Sequence, residues 1–285
     1  MDFLLPQEWR AVPFTSRLLR QGRPILPSRF DGEVLILQGQ RDTGAAIGGA
    51  ILRTTAGLLL PVMPYAPGPD RLARLEQLPR PETVLPQLLR ERVYSIMGPS
   101  AEVRWLEAGM GNDPVASIDY TLMTLGESDF RRRKPPDEPP LAGLRLRQAE
   151  ARDLLPLFPL QRAYELEEVV VFPERFSDQA CRLNLRRTLR QQLVFLAELD
   201  GRAVAKAGTN ARGFQVDQIG GVYTNEAHRG GGIATHVMSE LLERIFRTKR
   251  MASLFVKPSN RAAIALYRKL GFESLDSYRI SYFQR

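Results

Sequence analysis

The sequence is poor in residues that cross-link chains or bind metals. Cysteine occurs once in 285 residues, at Cys181, so no disulfide can form within the chain, which suits a reducing compartment. Histidine occurs twice, at His228 and His236, and two histidines alone do not make a metal site. No hydrophobic run has the length of a membrane span, and residues 1–21 lack the pattern of a signal peptide. We therefore expect a cytoplasmic protein without metal or membrane association.

Lysine is also scarce, since it occurs five times and arginine supplies 35 of the 40 basic residues. With 32 acidic residues, the formal net charge is +8 and the isoelectric point is about 9.9. A basic chain can bind nucleic acid, but the arginines are scattered, and no stacking aromatic residues interleave with the one dense basic run, at 131–134. An anionic cofactor, an acidic substrate or solubility explains the charge as well. Nucleic acid is thus the less favoured partner.

A glycine-rich loop before a helix is the most informative stretch. Apolar residues recur every four positions at Ile233, Val237, Leu241 and Ile245, which predicts an amphipathic helix. The three glycines at 230–232 would let a ligand approach the backbone, and the first N–H groups of a helix attract anions. The spacing is neither that of a Walker A loop nor that of a dinucleotide fingerprint. We expect a phosphate or pyrophosphate here, with a simple tight turn as the alternative.

A second motif follows in residues 260–272, which read N-x-x-A-x-x-x-Y-x-x-x-G-F. A helix is predicted to start after Asn260 and to end at Gly271, where glycine suits a left-handed C-terminal cap. Ala263 and Tyr267 lie one turn apart on one face of that helix. A small residue there leaves room for a ligand beside the phenol.

Together, Arg-x-x-Gly-x-Ala at 229–234 and the second motif resemble the two signatures of the GNAT superfamily of N-acyltransferases. The resemblance implies an α/β (α+β) fold, with a mixed, mostly antiparallel sheet flanked by helices. It implies acetyl-CoA as the acyl donor, bound without a metal. By the same resemblance, the pantetheine and the pyrophosphate would be held by Val222, Tyr223, Thr224, Arg229, Gly230, Gly231, Gly232, Ile233, Ala234, Thr235, Asn260 and Ala263.

Acyl transfer needs groups that handle charge and protons. An amine attacks the thioester, and a backbone N–H near Val222 or Tyr223 can stabilise the oxyanion. By resemblance, Tyr267 would protonate the departing thiolate. The candidate general bases are Glu168 and Glu165, with Glu167 and Asp217 as further options. The alternatives are that Tyr267 is a packed aromatic residue and that these carboxylates are solvated charges.

The length and a proline-rich charged stretch predict two domains. Residues 129–141 combine a basic run with four prolines and are predicted to be an exposed linker between domains 1–128 and 142–285. The first half resembles the second in its order of elements, so it is either a degenerate tandem copy of the same fold or an unrelated α+β domain. Prolines after residue 63 remove N–H donors, so we expect no CoA there. The elements predicted in this half are strands at 34–38, 45–53, 57–63, 102–107 and 118–125 and a helix at 84–96.

The sequence therefore predicts an N-acetyltransferase that moves an acetyl group from acetyl-CoA to a primary amine by direct attack. The acceptor, a small molecule or a protein, is left open, as is the oligomeric state, with a homodimer as one option. The N-terminal domain would act as a scaffold or in substrate recognition. One alternative is a non-catalytic acyl-CoA sensor or assembly module. Another is a nucleic-acid modifier that uses residues 131–134, which would bind in a salt-sensitive way.

Overall fold

The computed structural model describes residues 1–19, 32–39, 46–65, 78, 81–88, 92–133 and 141–283. The chain forms two compact units. The first contains Met1–Leu122, Phe255–Ser259 and Ser274–Arg285, and the second contains Met123–Leu254 and Asn260–Glu273. The last strand, placed by the sequence in domain 142–285, thus lies in the first unit.

The elements follow one another in a mixed order of helices and strands. Up to residue 133 they are a 3-10 helix (Leu5–Arg10), α1 (Val12–Leu19), β1 (Gly32–Gly39), β2 (Ala46–Thr54), β3 (Leu58–Val62), α2 (Pro81–Leu88), β4 (Ser95–Pro99), α3 (Ser100–Ala108), β5 (Ala116–Gly126) and α4 (Glu127–Arg133). They continue with β6 (Arg145–Gln148), a 3-10 turn (Ala151–Asp153), α5 (Leu154–Tyr164), a π turn (Glu165–Val169), a 3-10 turn (Pro173–Arg175), α6 (Asp178–Gln191), β7 (Val194–Leu199), β8 (Arg202–Arg212), β9 (Val216–Thr224), a 3-10 turn (Glu226–His228), α7 (Ile233–Phe246), β10 (Met251–Val256), α8 (Arg261–Leu270) and β11 (Glu273–Tyr282).

The sheet of the first unit has the strand order β1-β2-β3-β4-β11-β5. β1, β2 and β3 are antiparallel, β3 and β4 are parallel, and β11 is antiparallel to β4. Its core includes Ile51, Leu59 and Ile96, none of which is exposed to solvent. Arg10 is also buried, where it pairs with Glu102 and lies 3.4 Å from Asp276 of β11. Paired burial of this kind offsets the cost of removing charges from water.

Two sequence predictions in this unit are wrong. Residues 102–107, predicted as a strand, lie in helix α3. Val103, Leu106 and Met110 are buried, and their spacing of three and four residues is that of a helix face. The helix predicted at 84–96 ends at Leu88, and residues 95–99 form β4 instead. A short apolar run does not by itself distinguish a buried strand from a helix.

Part of the predicted linker is also helical. Asp129–Arg133 belong to α4, and Phe130 is buried against Phe246, with ring centroids 5.4 Å apart. Phe130 packs one face of this otherwise polar helix against the protein. The charged, proline-rich composition of the stretch gives no indication of that contact. The prediction for residues 134–140 falls outside the residues that the structure describes.

The sheet of the second unit runs in the order β10-β9-β8-β7-β6. β6 to β9 are antiparallel, and β9 is parallel to β10. The hairpin between β7 and β8 turns at Asp200 and Gly201, whose φ angles of 48° and 72° fit the two-residue turn that an Asp-Gly pair favours. Helix α7 buries the predicted apolar stripe, Ile233, Val237, Leu241 and Ile245. The mixed, mostly antiparallel sheet with flanking helices is the fold that the sequence predicted.

The same order of elements occurs twice in the chain. β1, β2, β3, α2, β4, α3 and β5 correspond in type to β7, β8, β9, α7, β10, α8 and β11. In each series three antiparallel strands precede a parallel pair, β3 with β4 and β9 with β10. The helical structure of residues 102–107 makes this match closer than the predicted strand did. The shared order supports the hypothesis of a degenerate tandem copy.

Gly271 ends helix α8 in the left-handed conformation, with a φ of 99°. A Cβ at this position would lie 3.2 Å from both Leu125 Cδ1 and Arg133 Cδ. We expect Gly271→Ala to lower the free energy of unfolding by about 2 kcal/mol, because alanine is strained at positive φ and its methyl is crowded. Urea denaturation followed by circular dichroism measures this. Gly201→Ala is the control, since its φ is 72° but nothing lies within 4 Å of the added Cβ. Equal losses in the two variants would rule out a packing contribution at Gly271.

Candidate functional site

The loop before α7 presents a row of backbone donors. Gly230 and Gly232 both have left-handed φ angles, 82° and 81°, and Gly232 is the N-cap of the 14-residue helix α7. Among the residues that the structure describes, no hydrogen-bond acceptor meets the N–H groups of Gly230, Gly231, Gly232, Ile233 and Ala234. We call these five residues the N–H cradle. Donors at the positive end of a helix dipole favour an anion.

Strand β9 leaves its parallel neighbour before reaching this loop. It pairs with β10 only at Val216–Gln218, which face Met251–Ser253. On its other side β9 bulges against β8, because the register shifts between Lys206 and Gly208. The edge of β9 after Gln218 therefore has no β10 partner in the described ladder. Such an edge can bind an extended ligand by main-chain hydrogen bonds.

A cavity of about 480 Å³ opens between the end of β9, the loop and helix α8. Its walls include most of the residues that the sequence assigned to cofactor binding: Val222, Tyr223, Thr224, Arg229, Gly230, Gly232, Ile233, Ala234, Thr235, Asn260 and Ala263. Gly231 is not among the lining residues, although it belongs to the same loop. Glu167, Glu168, His228 and Lys269 also line the cavity. Two motifs separated in sequence thus meet at one concave surface.

Asn260 joins helix α8 to the acidic side of the cavity. Its Oδ1 accepts the N–H of Ala263 at 3.0 Å, which caps the helix as the motif predicts. Its Nδ2 donates to Glu168 Oε1 at 2.9 Å. Both ends of the amide are therefore held, and Glu168 is fixed at the wall of the cavity.

Tyr267 is buried behind this wall. Its side chain is 7% exposed and packs against Phe272, with ring centroids 5.8 Å apart. It is not among the described residues that line the cavity. Burial raises the pKa of Tyr267 above its ordinary value, and the nearby Tyr164 and Glu168 act in the same direction. The phenol therefore keeps its proton at neutral pH.

The three glutamates that follow α5, at positions 165, 167 and 168, differ in whether they line the cavity. They lie in the π turn Glu165–Val169, in which the Val170 N–H donates to Glu165 O at 2.8 Å. Glu165 accepts from Gln161 Nε2 at 2.9 Å and does not line the cavity, whereas Glu167 and Glu168 do. π turns are frequent at functional sites. Of the two main candidates for the general base, Glu168 and Glu165, only Glu168 lines the cavity.

Asp217, the further base option, lies at the paired end of β9. It is completely buried, 3.2 Å from Arg212 Nε and 3.7 Å from Lys249 Nζ. It does not line the cavity described above. These contacts indicate a structural ion-pair network.

Arg229 is engaged by the protein itself. Its Nη2 donates to both Glu167 oxygens, at 3.1 and 2.9 Å, and its Nε donates to Thr224 O at 3.1 Å. The guanidinium lies 5.2 Å from the centroid of the Tyr223 ring, and the Tyr223 hydroxyl donates to Glu167 at 3.2 Å. The carboxylate raises the pKa of Arg229. Glu167 thus takes the place beside Arg229 that an anionic ligand would use.

Lys206 is a buried cation that the sequence analysis did not single out. Its Nζ donates to Gly221 O at 2.8 Å and lies 4.7 Å from the centroid of the Tyr164 ring. Burial lowers the pKa of Lys206 to about 8, with Glu165 and Cys181 opposing that shift. A lysine among the alanines of the apolar stretch 203–207 was the available signal. Cys181 packs in the interior, and burial raises its pKa to about 12.

Two kinds of feature are absent from the described residues. None of their helices combines the length and apolar character needed to cross a membrane. No group of three or more histidine, cysteine or acidic side chains among them is arranged to hold a metal ion.

Comparison with known proteins finds one matching family model, in the second half of the chain. Residues 157–272 match the model of the acetyltransferase (GNAT) family. The search of curated proteins gave no match. A solved Drosophila melanogaster protein has a TM-score of 0.63 at 13% identity, covering 98% of this chain and 93% of its own. A GCN5-related N-acetyltransferase from Kribbella flavida has a TM-score of 0.56 at 16% identity, with coverages of 95% and 96%. A tandem GNAT protein from the clavulanic acid biosynthesis pathway has a TM-score of 0.51 at 16% identity, with coverages of 95% and 92%.

Proposed function

We propose, from the match of residues 157–272 to the model of the acetyltransferase (GNAT) family, that this protein transfers the acetyl group of acetyl-CoA to a primary amine. The observation that carries the proposal is the N–H cradle, which opens into the same cavity as the unpaired edge of β9. A pyrophosphate needs the first feature, and an extended pantetheine arm needs the second. Their position side by side suits CoA.

The donor would lie along the elements that form the cavity. The cradle would hold the pyrophosphate, with Arg229 as an added positive charge. Val222, Tyr223 and Thr224 would bind the pantetheine through their backbone, as a strand binds its neighbour. Asn260 and the small Ala263 line the facing side of the cavity. A methyl at Ala263 leaves space where a larger side chain would not.

The chemistry requires one bond to form and one to break. The amine nitrogen attacks the thioester carbon, the carbonyl oxygen gains charge, and the carbon–sulfur bond then breaks to release the CoA thiolate. A backbone N–H of Val222 or Tyr223 would stabilise the oxyanion. Tyr267 would supply the proton that the thiolate needs.

The attacking amine must also lose a proton. We assign that role to Glu168, directly or through a water molecule, because it lines the cavity and Asn260 fixes its carboxylate. Glu165 does not line the cavity, so it would take the proton only through intervening water molecules. Both assignments are proposals that follow from position.

A second candidate function is a non-catalytic acyl-CoA sensor or assembly module. The observation that favours it is the burial of Tyr267 outside the residues lining the cavity. A sensor would bind acetyl-CoA and release no thiol with any amine. The acceptor and the oligomeric state, including a homodimer, belong to the same open question. We propose a scaffold or recognition role for the first unit, without CoA.

The test has two stages. Calorimetric titration with acetyl-CoA measures binding, and desulfo-CoA separates the contribution of the sulfur. Colorimetric detection of free thiol with a panel of amines and amine-bearing peptides then measures transfer. Binding with amine-dependent thiol release supports the acetyltransferase. Binding alone supports the sensor, and no binding contradicts both.

Glu167 is expected to compete with CoA for Arg229. Glu167→Gln should therefore raise the affinity for CoA by up to about fivefold, since an exposed ion pair contributes at most about 1 kcal/mol. Calorimetry on both proteins measures the change. Glu174→Gln is the matched control, because it removes the same charge from an exposed pair with Arg175 outside the cavity. A gain no larger than that of the control, or a loss, would show that Glu167 does not compete.

A further inference from the structure

The bulge in β9 leaves one peptide without a partner on the neighbouring strand. Gly220 pairs with Gly208, and Tyr223 pairs with Lys206. Two residues of β9, Gly221 and Val222, therefore face the single residue between them on β8. Gly221 has a φ of 65°, a conformation that side chains disfavour. The bulge stands at the point where β9 begins to line the cavity.

The backbone groups of Gly221 form hydrogen bonds with side chains instead of with the backbone of β8. Lys206 Nζ donates to Gly221 O at 2.8 Å, and the Gly221 N–H donates to the Tyr164 hydroxyl at 3.3 Å. A buried backbone group without a partner is costly. Lys206 and Tyr164 are also in contact with each other, since the ammonium lies over the ring. The two side chains therefore form one support under Gly221.

Packing alone would not require a charged side chain at position 206. Lys206 is 4% exposed, and burying an ammonium carries a large desolvation penalty. A methionine of similar length would fill the same space without that penalty. The charged donor is useful because it holds a carbonyl oxygen more strongly than a neutral group does. The residue that follows this carbonyl is Val222, which lines the cavity.

We propose that Lys206 is a positioning residue for the acyl transfer. It holds the Gly221 carbonyl and thereby sets the orientation of that planar peptide group, whose N–H is that of Val222. That N–H is the oxyanion donor of the proposed reaction, so the proposal rests on the proposed function. Tyr164 supports the other side of the same bulge.

Lys206→Met is the variant that tests this. We expect CoA to bind within about threefold of wild type, because the cradle lies elsewhere, while the turnover number for thiol release falls by about tenfold or more. Lys206→Arg should restore part of the turnover, because it returns a charged donor of similar reach. If Lys206→Met does not fold, the comparison of Lys206→Arg and Lys206→Gln replaces it. Turnover unchanged in Lys206→Met would overturn the proposal.

Lys249→Met is the matched control. Lys249 also holds backbone carbonyls, those of Gly213 and Phe214, at 2.5 and 3.2 Å, but it does not line the cavity. We expect it to reduce stability without changing turnover. An equal loss of turnover in both variants would show a general structural effect and would overturn the specific role of Lys206.

Amide hydrogen exchange separates this proposal from the proposed function. The amides of Gly221 and Val222 should exchange faster in Lys206→Met than in Lys249→Met, whether or not an acceptor is known. Wild-type protein that binds no acetyl-CoA, or releases no thiol, would contradict the proposed function, and exchange would still decide whether Lys206 holds the bulge. Unchanged exchange at both amides would overturn that support.

Discussion

Gly232→Glu is expected to weaken CoA binding severely without unfolding the protein. Gly232 lines the cavity as the N-cap of α7, and the N–H cradle surrounds it. A carboxylate there would occupy the donors that a pyrophosphate needs and would repel its charge. We expect the affinity for CoA to fall by at least about 100-fold, which is close to 3 kcal/mol. Calorimetry measures the affinity, and circular dichroism shows whether the fold is kept.

Two controls separate charge from backbone strain in this experiment. Gly232→Ala imposes the same strained φ of 81° without the carboxylate, so CoA affinity should fall far less. Gly201→Glu places the same carboxylate at a left-handed glycine in an open hairpin turn, and it should leave CoA affinity unchanged. An unchanged affinity in Gly232→Glu would remove the loop from the binding site.

Tyr267→Phe is expected to keep CoA binding and to lower turnover by about 100-fold, the usual range for loss of a general acid. The substitution removes only the hydroxyl from a buried ring. Burial raises the pKa of this phenol, so it stays protonated and can donate across the neutral range. Thiol release at saturating acetyl-CoA with an accepted amine measures the change, and calorimetry checks binding.

The control for this variant is Tyr278→Phe. Tyr278 is a buried tyrosine of the first unit whose pKa is likewise raised by burial, and it should not affect turnover. A Tyr267→Phe protein as active as wild type would mean that water or another group protonates the thiolate. The burial of Tyr267 behind the cavity wall would then indicate a packing role.

Local signals in the sequence predicted the second unit well. Helix α8 spans Arg261–Leu270 as predicted, because an asparagine cap and a left-handed glycine define both of its ends. In the first unit, the sequence predicts a strand where α3 lies, because Arg104 and Trp105 interrupt the apolar pattern of Val103 and Leu106. Where no cap or turn residue marks the ends of an element, tertiary packing decides whether it is a helix or a strand. A short stretch of sequence does not predict that packing.

Only those parts of the candidate site that lie in the two sequence motifs could be predicted. The loop at 229–234 and the motif at Asn260 meet at one cavity, as the resemblance implied. The contacts of Arg229 with Glu167, and of Lys206 with Gly221, join residues 62 and 15 positions apart. No local pattern encodes such pairs, because they depend on how strands and helices pack. The chemical roles of Tyr267, Glu168 and Glu165 stay predictions.

The place of β11 in the first unit affects how the protein is made. Tyr278–Tyr282 of β11 pair with β4, yet these residues follow the whole second unit in the sequence and are synthesised after it. The first unit therefore cannot complete its sheet while the second is still being translated. Until then β4 lacks this neighbour and exposes an edge that can pair with other chains. Most of the first unit is thus synthesised before the second unit, although its sheet is completed only after the second unit has been translated.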